Sequence, residues 1–187
     1  MAKLRRLIPS EKIQSRVQAL GLQISTHLKR RERPVAVVVL HGAFVFAADL
    51  LRCIPARIGL EIAFLRCESY GHRTRSSGRV VLLQDLDPTL DLSGRTVLLI
   101  DDILDTGLTL RYLLRHLKAR GASRILTCVL LRRKTHYDKQ AACADFSGFE
   151  VGPQFFVGYG LDYAGRHRNL PYLAALDNPK QARRGRR

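Results

Sequence analysis

The sequence has 187 residues, of which 46% are hydrophobic, and its formal net charge is +16 at pH 7. This length is typical of one domain with an ordinary core, and no apolar run is long enough to cross a bilayer, so we expect no membrane partner. The four cysteines are widely spaced and form no Cys-x-x-Cys pair, which argues against a cysteine metal site and predicts a reduced, cytoplasmic protein.

The positive charge lies mostly at the two ends of the chain. Residues 1–35 hold nine basic and two acidic side chains, residues 180–187 hold five basic and none acidic, and the remaining 144 residues have a net charge of only +4. Basic termini are either simply solvated or in contact with polyanions such as RNA, without specificity. We predict one domain over residues 1–179 and a disordered basic tail over residues 180–187.

Hydrophobic periodicity predicts alternating helices and strands. Apolar residues at three- and four-residue steps predict an amphipathic helix over residues 11–31, which Pro34 would end. The all-apolar run Val35–Leu40 is typical of a strand buried on both faces. The other predicted elements are, in chain order, a helix over 43–51, strands over 60–65, 80–83 and 96–100, a helix over 108–117, and strands over 125–131 and 155–157. This alternation predicts an α/β fold, a Rossmann-like parallel sheet flanked by helices.

One long segment, residues 69–79, interrupts this pattern. Its sequence, SYGHRTRSSGR, is polar, rich in glycine and serine, and without apolar periodicity, which predicts a mobile loop. An inert surface loop would have the same composition, so the pattern alone assigns it no function.

The most informative stretch is residues 97–110, VLLIDDILDTGLTL. A predicted buried strand ends in Asp101-Asp102 and is followed by Asp105, Thr106-Gly107 and a helix. Ligands of open α/β sheets bind at the carboxyl ends of strands, and a helix N-terminus presents free N–H groups to an anion. Gly107 would let the backbone approach a phosphate closely, and threonine hydroxyls add donors.

The carboxylates of this stretch need a role other than phosphate binding. Adjacent aspartates suit the vicinal hydroxyls of a sugar, or water molecules around Mg²⁺. The alternative is structural: Asp101 would merely end a strand and Asp105 would cap the helix. Three aspartates within five positions, followed by Thr-Gly-x-Thr, favour the ligand-binding interpretation.

The same stretch resembles the phosphoribosyl-pyrophosphate motif of type I phosphoribosyltransferases. Residues 37–51, 69–78 and 157–171 resemble, in the same order, segments of the hypoxanthine-guanine branch of that family, and the resemblance covers about residues 5–177. It implies the type I fold, with a small hood built from the N-terminal segment and the last strand region. It further implies a Mg²⁺-dependent enzyme of purine salvage, acting as a homodimer or homotetramer. Such an enzyme transfers 5-phosphoribosyl from 5-phosphoribosyl 1-pyrophosphate to hypoxanthine or guanine, giving IMP or GMP and pyrophosphate.

The resemblance also implies a set of donor-binding residues. They are His41, Gly42, Asp101, Asp102, Asp105, Thr106, Gly107, Leu108, Thr109 and Arg168. Residues 101–102 would hold the ribose hydroxyls, and residues 106–109 would cradle the 5-phosphate. The turn at residues 41–42 and Arg168 would contact pyrophosphate. Many relatives have Lys or Arg where this chain has His41, but the family makes this contact largely through the backbone, often with a cis peptide. The alternative is that His41 is a turn residue without a ligand.

Catalytic and metal-linked roles follow from the same resemblance. Asp105 would face N7 of the purine and assist proton transfer, while Ser69 and Tyr70 would belong to a flexible loop that closes over the reactants and excludes water. The carboxylates linked to magnesium would be Asp101, Asp102 and Asp162.

The implied purine pocket lies near the last strand. Its residues are Arg133, Lys134, Phe155, Phe156, Val157 and Asp162. Phe155 would stack on the base, and Phe156 or Val157 would read the base edge through backbone groups. Without the resemblance, two adjacent phenylalanines are more often core residues.

One purine-binding position is ambiguous. The family uses a lysine after the strand at 125–131 to donate to the purine O6. Counting forward from Leu131 selects Arg133, whereas counting back from Asp145 selects Lys134. We favour Lys134 because it keeps the ammonium and because one inserted loop residue costs little. The alternative is that the basic run is only a solvated surface.

The main rival interpretation is an RNA-binding regulatory protein on the same fold, because fold alone does not fix function. The basic termini favour this rival, and the combination of Asp105, Ser69-Tyr70 and Asp162 disfavours it. A nucleotide-binding enzyme of another class is disfavoured because the sequence has neither Gly-x-x-x-x-Gly-Lys-Ser/Thr nor Gly-x-Gly-x-x-Gly.

Overall fold

The computed structural model describes residues 3–70, 79–134 and 143–177, so the basic tail and most of the predicted loop at 69–79 lie outside the described residues. In chain order the elements are β1 (Leu4–Ile8), α1 (Ser10–Ser25), β2 (Val35–Leu40), α2 (Phe44–Arg52), β3 (Glu61–Tyr70), β4 (Arg79–Gln84), β5 (Thr96–Leu104), α3 (Leu108–Ala119), β6 (Arg124–Arg133), β7 (Phe146–Val151), β8 (Phe156–Val157) and β9 (Leu173–Leu176). Short 3-10 turns lie at Arg30–Glu32 and Ala56–Ile58.

The central sheet has the strand order β4-β3-β2-β5-β6-β7. Strands β3, β2, β5, β6 and β7 are parallel, which confirms the predicted α/β fold, and only β4 runs antiparallel within this described sheet. The eight residues between β3 and β4 are too few for a crossover, so these strands pair as a hairpin. The chain moves from β2 outward to β3 and later returns to β5 on the other side of β2. The sheet therefore has a topological switch point between β2 and β5, where ligands of such sheets bind.

Two apolar layers cover the sheet. Helices α1 and α2 bury one face, with Ile13, Leu20 and Phe46 fully enclosed. Helix α3 buries the other face through Leu110, Leu113 and Leu117. No helix in the described part of the chain combines the length and the apolar character needed to cross a membrane.

A separate three-stranded antiparallel sheet, in the order β1-β9-β8, forms the hood. The N-terminal segment pairs with the last strand, as in Leu4 opposite Leu176, which confirms the predicted composition of the hood. Its small apolar cluster contains Val157, Ala174 and Leu176. The hood thus joins β1 to β8 and β9, the last two strands of the described residues.

Three strands, β1, β7 and β9, were not predicted from the sequence. Each is short, and each lacks a clear signal: LRRLI has two arginines at its centre, FSGFEV contains glycine, and LAAL is only four residues long. Strand β7 is an edge strand whose carbonyls at Ser147 and Gly148 accept hydrogen bonds from Arg16 of α1. These two bonds fasten the edge strand to the helix layer.

Several predicted boundaries were wrong. Helix α1 ends at Ser25 rather than residue 31, because the hydroxyls of Ser25 and Thr26 donate to carbonyls one turn earlier and compete with helix continuation. Ser69 and Tyr70 lie in β3 rather than in a loop. Strand β5 continues to Leu104, so Asp101 and Asp102 lie inside the strand instead of following it.

Candidate active site

Two aspartates lie side by side near the carboxyl end of β5. The buried Asp101 accepts a hydrogen bond from the Asp102 N–H at 2.9 Å, and Asp102 accepts one from the Ile103 N–H at 2.7 Å. Burial raises the pKa of both carboxyls, and the negative charge of Asp102 raises the pKa of Asp101 further. The Arg168 guanidinium acts in the opposite direction on Asp102. Ionising this pair is therefore costly unless a cation or hydroxyl donors approach it.

The turn after β2 packs directly on this pair. The peptide bond between Leu40 and His41 is cis, and His41 is exposed. A side chain at Gly42 would overlap the Asp102 carboxylate, so the absence of a Cβ at Gly42 is what lets the turn and the aspartate meet. A Cβ at Gly160 would in turn overlap the Gly42 carbonyl oxygen. Three backbone segments thus converge at one point.

The predicted phosphate loop opens helix α3. Gly107 is the N-cap in the left-handed region, with φ of 77°, and it has no side-chain cap. The Leu108 N–H lies 3.5 Å from Thr106 Oγ1, and the first helical bond runs from the Arg111 N–H to the Gly107 carbonyl at 2.9 Å. The N–H groups of the first turn, which includes Thr109, have no acceptor within the helix, and such groups are available to an anion. The structural alternative that Asp105 caps this helix is therefore wrong.

Asp105 instead faces Arg133. The distance from Arg133 Nε to Asp105 Oδ1 is 3.1 Å, and the Arg133 side chain is only 13% exposed. Arg133 Nη1 also donates to the carbonyls of Gly152 and Gln154, at 3.2 and 3.1 Å. The guanidinium therefore ties Asp105 to the segment that precedes Phe155.

Lys134, which the sequence favoured as the purine reader, points elsewhere. Its side chain is 68% exposed and its Nζ lies 3.7 Å from Glu150 Oε2, the same carboxylate that Arg132 contacts. Side chains alternate across a strand, so Arg132 and Lys134 share one direction and Arg133 takes the other. Arg133, and not Lys134, therefore contacts Asp105, while which of the two reads the purine O6 stays a prediction. The length of β6 was the missing signal, because the sequence interpretation placed these residues in a loop.

The aromatic residues of the implied pocket have different environments. Phe155 is 38% exposed and meets Tyr163 edge to face, with ring centroids 5.5 Å apart. Phe156 and Val157 form β8, and their side chains are buried. The Phe155 carbonyl accepts the Leu176 N–H at 2.9 Å. Phe155 therefore offers a ring face to a ligand, whereas Phe156 and Val157 can offer only backbone groups.

Asp162 and Arg168 form an ion pair on the hood side. The distance from Arg168 Nη2 to Asp162 Oδ1 is 2.7 Å, and Asp162 Oδ2 accepts the Gly165 N–H at 2.6 Å. Arg168 Nη1 also donates to the Gly160 carbonyl at 2.7 Å. Both Asp162 oxygens are thus engaged. Among the described residues no group of three or more His, Cys, Asp or Glu could hold a metal ion, so the three predicted magnesium-linked aspartates do not form one ready-made ligand set.

Two predicted catalytic residues are placed only by their backbone. Ser69 and Tyr70 end β3, opposite Val80 and Arg79 of β4. Strand β3 is parallel to β2 and extends four residues beyond the last pair of that ladder, Leu40 with Arg66. Their backbone therefore continues past the sheet edge at which β2 ends.

Sequence reasoning missed Asp49 and Tyr159. The Tyr159 hydroxyl donates to Asp49 Oδ2 at 2.6 Å and joins α2 to the hood. A charged residue in the otherwise apolar run FVFAADLL and a tyrosine between two glycines were the available signals.

Comparisons with known proteins agree with this geometry. A family model described as a phosphoribosyl transferase domain matches residues 9–164. The hypoxanthine-guanine phosphoribosyltransferase of Bacillus subtilis (strain 168) is 44% identical over 170 residues, which make up 91% of this chain and 91% of that protein. The chain belongs to the hypoxanthine-guanine phosphoribosyltransferase family. The predicted family is thus confirmed.

Other members of the hypoxanthine-guanine phosphoribosyltransferase family are similar over nearly the whole chain. The enzyme of that name from Aquifex aeolicus (strain VF5) is 42% identical over 180 residues, covering 94% of this chain and 96% of that protein. A crystal structure of the enzyme from Bacillus anthracis, with a HEPES molecule in its active site, has a TM-score of 0.83 at 38% identity and covers 94% of this chain and 99% of that chain. The type I fold is therefore shared, while the roles of single residues stay predictions.

The buried aspartate pair predicts a gain of stability on neutralisation. Because the folded-state pKa of Asp101 is raised, its ionisation destabilises the fold at every pH above the ordinary aspartate pKa of about 4. Asp101→Asn should therefore raise the melting temperature at pH 7. In a chain of this size the rise is about 2–4 °C for each 1 kcal/mol added to the free energy of unfolding. The gain should shrink as the pH falls through the folded-state pKa, and vanish where wild-type Asp101 is protonated in both states. Thermal unfolding between pH 4 and 8 measures this.

Asp91→Asn is the matched control for that experiment. Asp91 is exposed, and a hydrogen bond from Ser93 lowers its pKa, so neutralising it should give no gain at pH 7. A melting temperature of Asp101→Asn that is equal to or below that of the wild type at pH 7 would contradict the assigned burial cost.

Proposed function

We propose that this protein catalyses the transfer of the 5-phosphoribosyl group from 5-phosphoribosyl 1-pyrophosphate to hypoxanthine or guanine, giving IMP or GMP and pyrophosphate. The observation that carries the proposal is the contact of Asp105 with Arg133, whose guanidinium also donates to the carbonyl of Gln154, the residue before the exposed Phe155. A base-binding site thus adjoins an anion-binding helix terminus at the switch point of the sheet. The names of the relatives support the same activity.

The donor would be held in three places. The first turn of α3, with Thr106 and Thr109, would bind the 5-phosphate through N–H and hydroxyl donors. The carboxylates of Asp101 and Asp102 would accept hydrogen bonds from the ribose hydroxyls. Pyrophosphate would lie against the turn at residues 41–42, with Arg168 supplying positive charge. The exposed His41 supplies no permanent charge there, so the backbone would make most of that contact.

Asp101, Asp102 and Asp162 suit a magnesium ion that takes only a few of its ligands from the protein. Mg²⁺ prefers oxygen ligands and is usually held by one or two carboxylates together with substrate phosphates and water. Asp101 and Asp102 are adjacent buried carboxylates of this kind, and the Asp162 carboxylate would contribute after releasing Arg168. When bound, the ion would neutralise the pyrophosphate and favour its departure.

The chain's own residues would then stabilise the positive charge on the ribose ring and accept the purine proton. As pyrophosphate leaves, positive charge develops on the ribose ring, and the carboxylates of residues 101 and 102 would stabilise it. The purine would bond through N9 and lose its N7 proton to Asp105. Arg133, whose Nε lies 3.1 Å from Asp105 Oδ1, would hold that carboxylate in position.

Removing the proton acceptor should slow the reaction without abolishing donor binding. We expect Asp105→Asn to lower kcat by roughly 10²–10⁴-fold, the usual loss for an acid–base group. Asp87→Asn is the control, because Asp87 lies beside Arg120 at the far end of α3. Steady-state kinetics with hypoxanthine, and donor binding by calorimetry, measure the two effects. Undiminished turnover in Asp105→Asn would exclude the assigned role.

Purine selectivity would depend on Arg133. A guanidinium carries only donors, so it suits the O6 acceptor of a 6-oxopurine and opposes the amino group of adenine. Phe155 would stack on the ring, and backbone groups of Phe156 or Val157 would read its edge. Because an unmatched buried charge is costly, discrimination should be large.

Competition between hypoxanthine and adenine tests this pocket. The wild type should prefer hypoxanthine by at least about 10²-fold in kcat/KM. Arg133→Ala should lose most of this preference, and the control Lys134→Ala should keep it, because Lys134 is exposed and faces Glu150. Loss of selectivity in Lys134→Ala alone would reverse the assignment, and efficient use of adenine by the wild type would contradict the pocket.

The backbone position of Ser69 and Tyr70 supports their proposed part in closure. They end β3 four residues beyond its last pair with β2, near the edge of the sheet at which the donor site is proposed. Closing over the site would exclude water, which otherwise intercepts the ribose cation.

We infer that the protein is a homodimer. Ile62, Phe64 and Leu83 lie on one face of the β3–β4 pair, opposite the side chains of Leu65 and Leu82 that pack in the core, and they are 45–49% exposed. Arg66 and Glu68 form an ion pair of 3.1 Å on the same face, so both signs of charge are available to a two-fold mate. A mixed apolar and self-complementary face of this kind suits an isologous contact.

Light scattering after gel filtration tests the dimer. The wild type should have twice the 21.1 kDa mass of the chain, and Phe64→Asp should have the mass of a monomer. Leu22→Asp is the control, because Leu22 is an equally exposed apolar residue on α1. A Phe64→Asp variant that keeps the wild-type mass would show that this face is not the interface.

The remaining predictions concern the location of the protein in the cell and the basic termini of the chain. We propose a cytoplasmic location, which is supported by the free thiols of Cys53, Cys67 and Cys128. We propose only non-specific polyanion contact for the basic termini. The RNA-binding regulatory alternative has no support among the relatives described above, which are named as phosphoribosyltransferases.

A further inference from the structure

A single buried hydrogen bond joins the hood to helix α2. The Tyr159 hydroxyl donates to Asp49 Oδ2 at 2.6 Å, and Tyr159 is 5% exposed. Burial and the bond to Asp49 raise the pKa of the phenol, so it stays protonated and donates. Asp49 also pairs with Arg52 one turn further along α2. The bond spans 110 positions of sequence, so it is a tertiary connection and not a local turn.

The backbone at Tyr159 needs such a connection. Its φ is 48°, in the left-handed region, and its neighbours Gly158 and Gly160 have φ of 97° and 99°. A bulky non-glycine residue in this region is unfavourable and persists only where its surroundings hold it. The Tyr159 N–H donates to the Leu170 carbonyl at 2.8 Å, which fixes one side of the turn. The hydroxyl bond to Asp49 fixes the other.

The turn held in this way forms one wall of the proposed pyrophosphate pocket. Gly160 packs on the Gly42 carbonyl, and Gly42 packs on the Asp102 carboxylate. The Gly160 carbonyl accepts a hydrogen bond from Arg168 at 2.7 Å. Helix α2, which carries Asp49, begins directly after the turn at residues 41–43. The Tyr159–Asp49 bond therefore clamps the two segments that face pyrophosphate from opposite sides.

We propose that Tyr159 and Asp49 are a positioning pair for the pyrophosphate half of the donor site, an inference that rests on the proposed function. Tyr159 is too buried to touch a substrate and acts by keeping Gly160 and Arg168 against the turn at residues 41–42. The base side of the site has separate support, because Arg133 ties Asp105 to Gly152 and Gln154. Breaking the pair should therefore weaken donor and pyrophosphate binding while leaving purine binding nearly unchanged.

Substitutions of Tyr159 and Asp49 distinguish a positioning role of their hydrogen bond from a general contribution to packing. Tyr159→Phe removes one hydroxyl and keeps the ring, so it should raise the KM for the donor and the Kd for pyrophosphate by about 10-fold, a typical loss for a hydrogen bond to a charged group. The KM for hypoxanthine and kcat should stay within about twofold. Asp49→Ala should have the same effect, whereas Asp49→Asn keeps an acceptor oxygen and should retain near wild-type values. Tyr172→Phe is the control, because that ring in the same segment contacts Arg6 only through its face.

A double-mutant cycle provides a readout that does not depend on activity. The double variant Tyr159→Phe/Asp49→Ala should lose no more thermal stability than the worse single variant, because both remove one interaction. Additive losses, an unchanged donor KM, or equal increases in the donor and purine KM values would overturn the proposal. If the wild type bound neither donor nor pyrophosphate, the proposed function would fail instead, and the cycle would still report whether the two side chains are coupled.

Discussion

The burial of two neighbouring carboxylates inside a strand is the constraint around which this site is organised. Asp101 and Asp102 belong to β5, which pairs with β2 up to Ile100 and with β6 from Thr96 to Leu104, so the β6 ladder holds their backbone in the sheet. Burial raises the pKa of both. A fold selected for stability alone would place neutral residues here, so the cost is a sign of function, as strained and desolvated groups commonly are at binding sites.

The neighbouring backbone segments are shaped by the same pair. Gly42 has to lack a side chain because the Asp102 carboxylate occupies the space, and Gly160 has to lack one because the Gly42 carbonyl does. The turn after β2 is therefore positioned by its contact with β5, and the hood is positioned by its contact with that turn. The hood is therefore located with respect to the aspartates by direct packing, although it belongs to a different sheet.

The sequence predicted the central architecture well because buried parallel strands have a strong signal. The run VAVVVL is entirely apolar, the run TVLLI is apolar except for Thr96, and both are strands at the centre of the sheet. The signal fails where packing is one-sided or local hydrogen bonds intervene. Leu28 continues the apolar period of α1 and is buried, yet the hydroxyls of Ser25 and Thr26 have already ended the helix.

The site was predictable as a set of residue types and much less so as a set of contacts. Asp105 was recognisable from its spacing to Thr106-Gly107. Its partner Arg133 was not, because the direction of the Arg133 side chain depends on whether β6 ends at residue 131 or at residue 133. Because β6 includes Arg132 and Arg133, it is Arg133 rather than Lys134 that is directed at Asp105.

The identity of residue 133 also has a chemical consequence that spacing could not show. A lysine ammonium is a compact charge on a flexible stem, while a guanidinium is a planar fork that can meet several acceptors in fixed directions. Arg133 uses this property: Nε faces Asp105 while Nη1 reaches the carbonyls of Gly152 and Gln154. The same group therefore holds Asp105 and the segment leading to Phe155 in a fixed relation, which a flexible ammonium would not do.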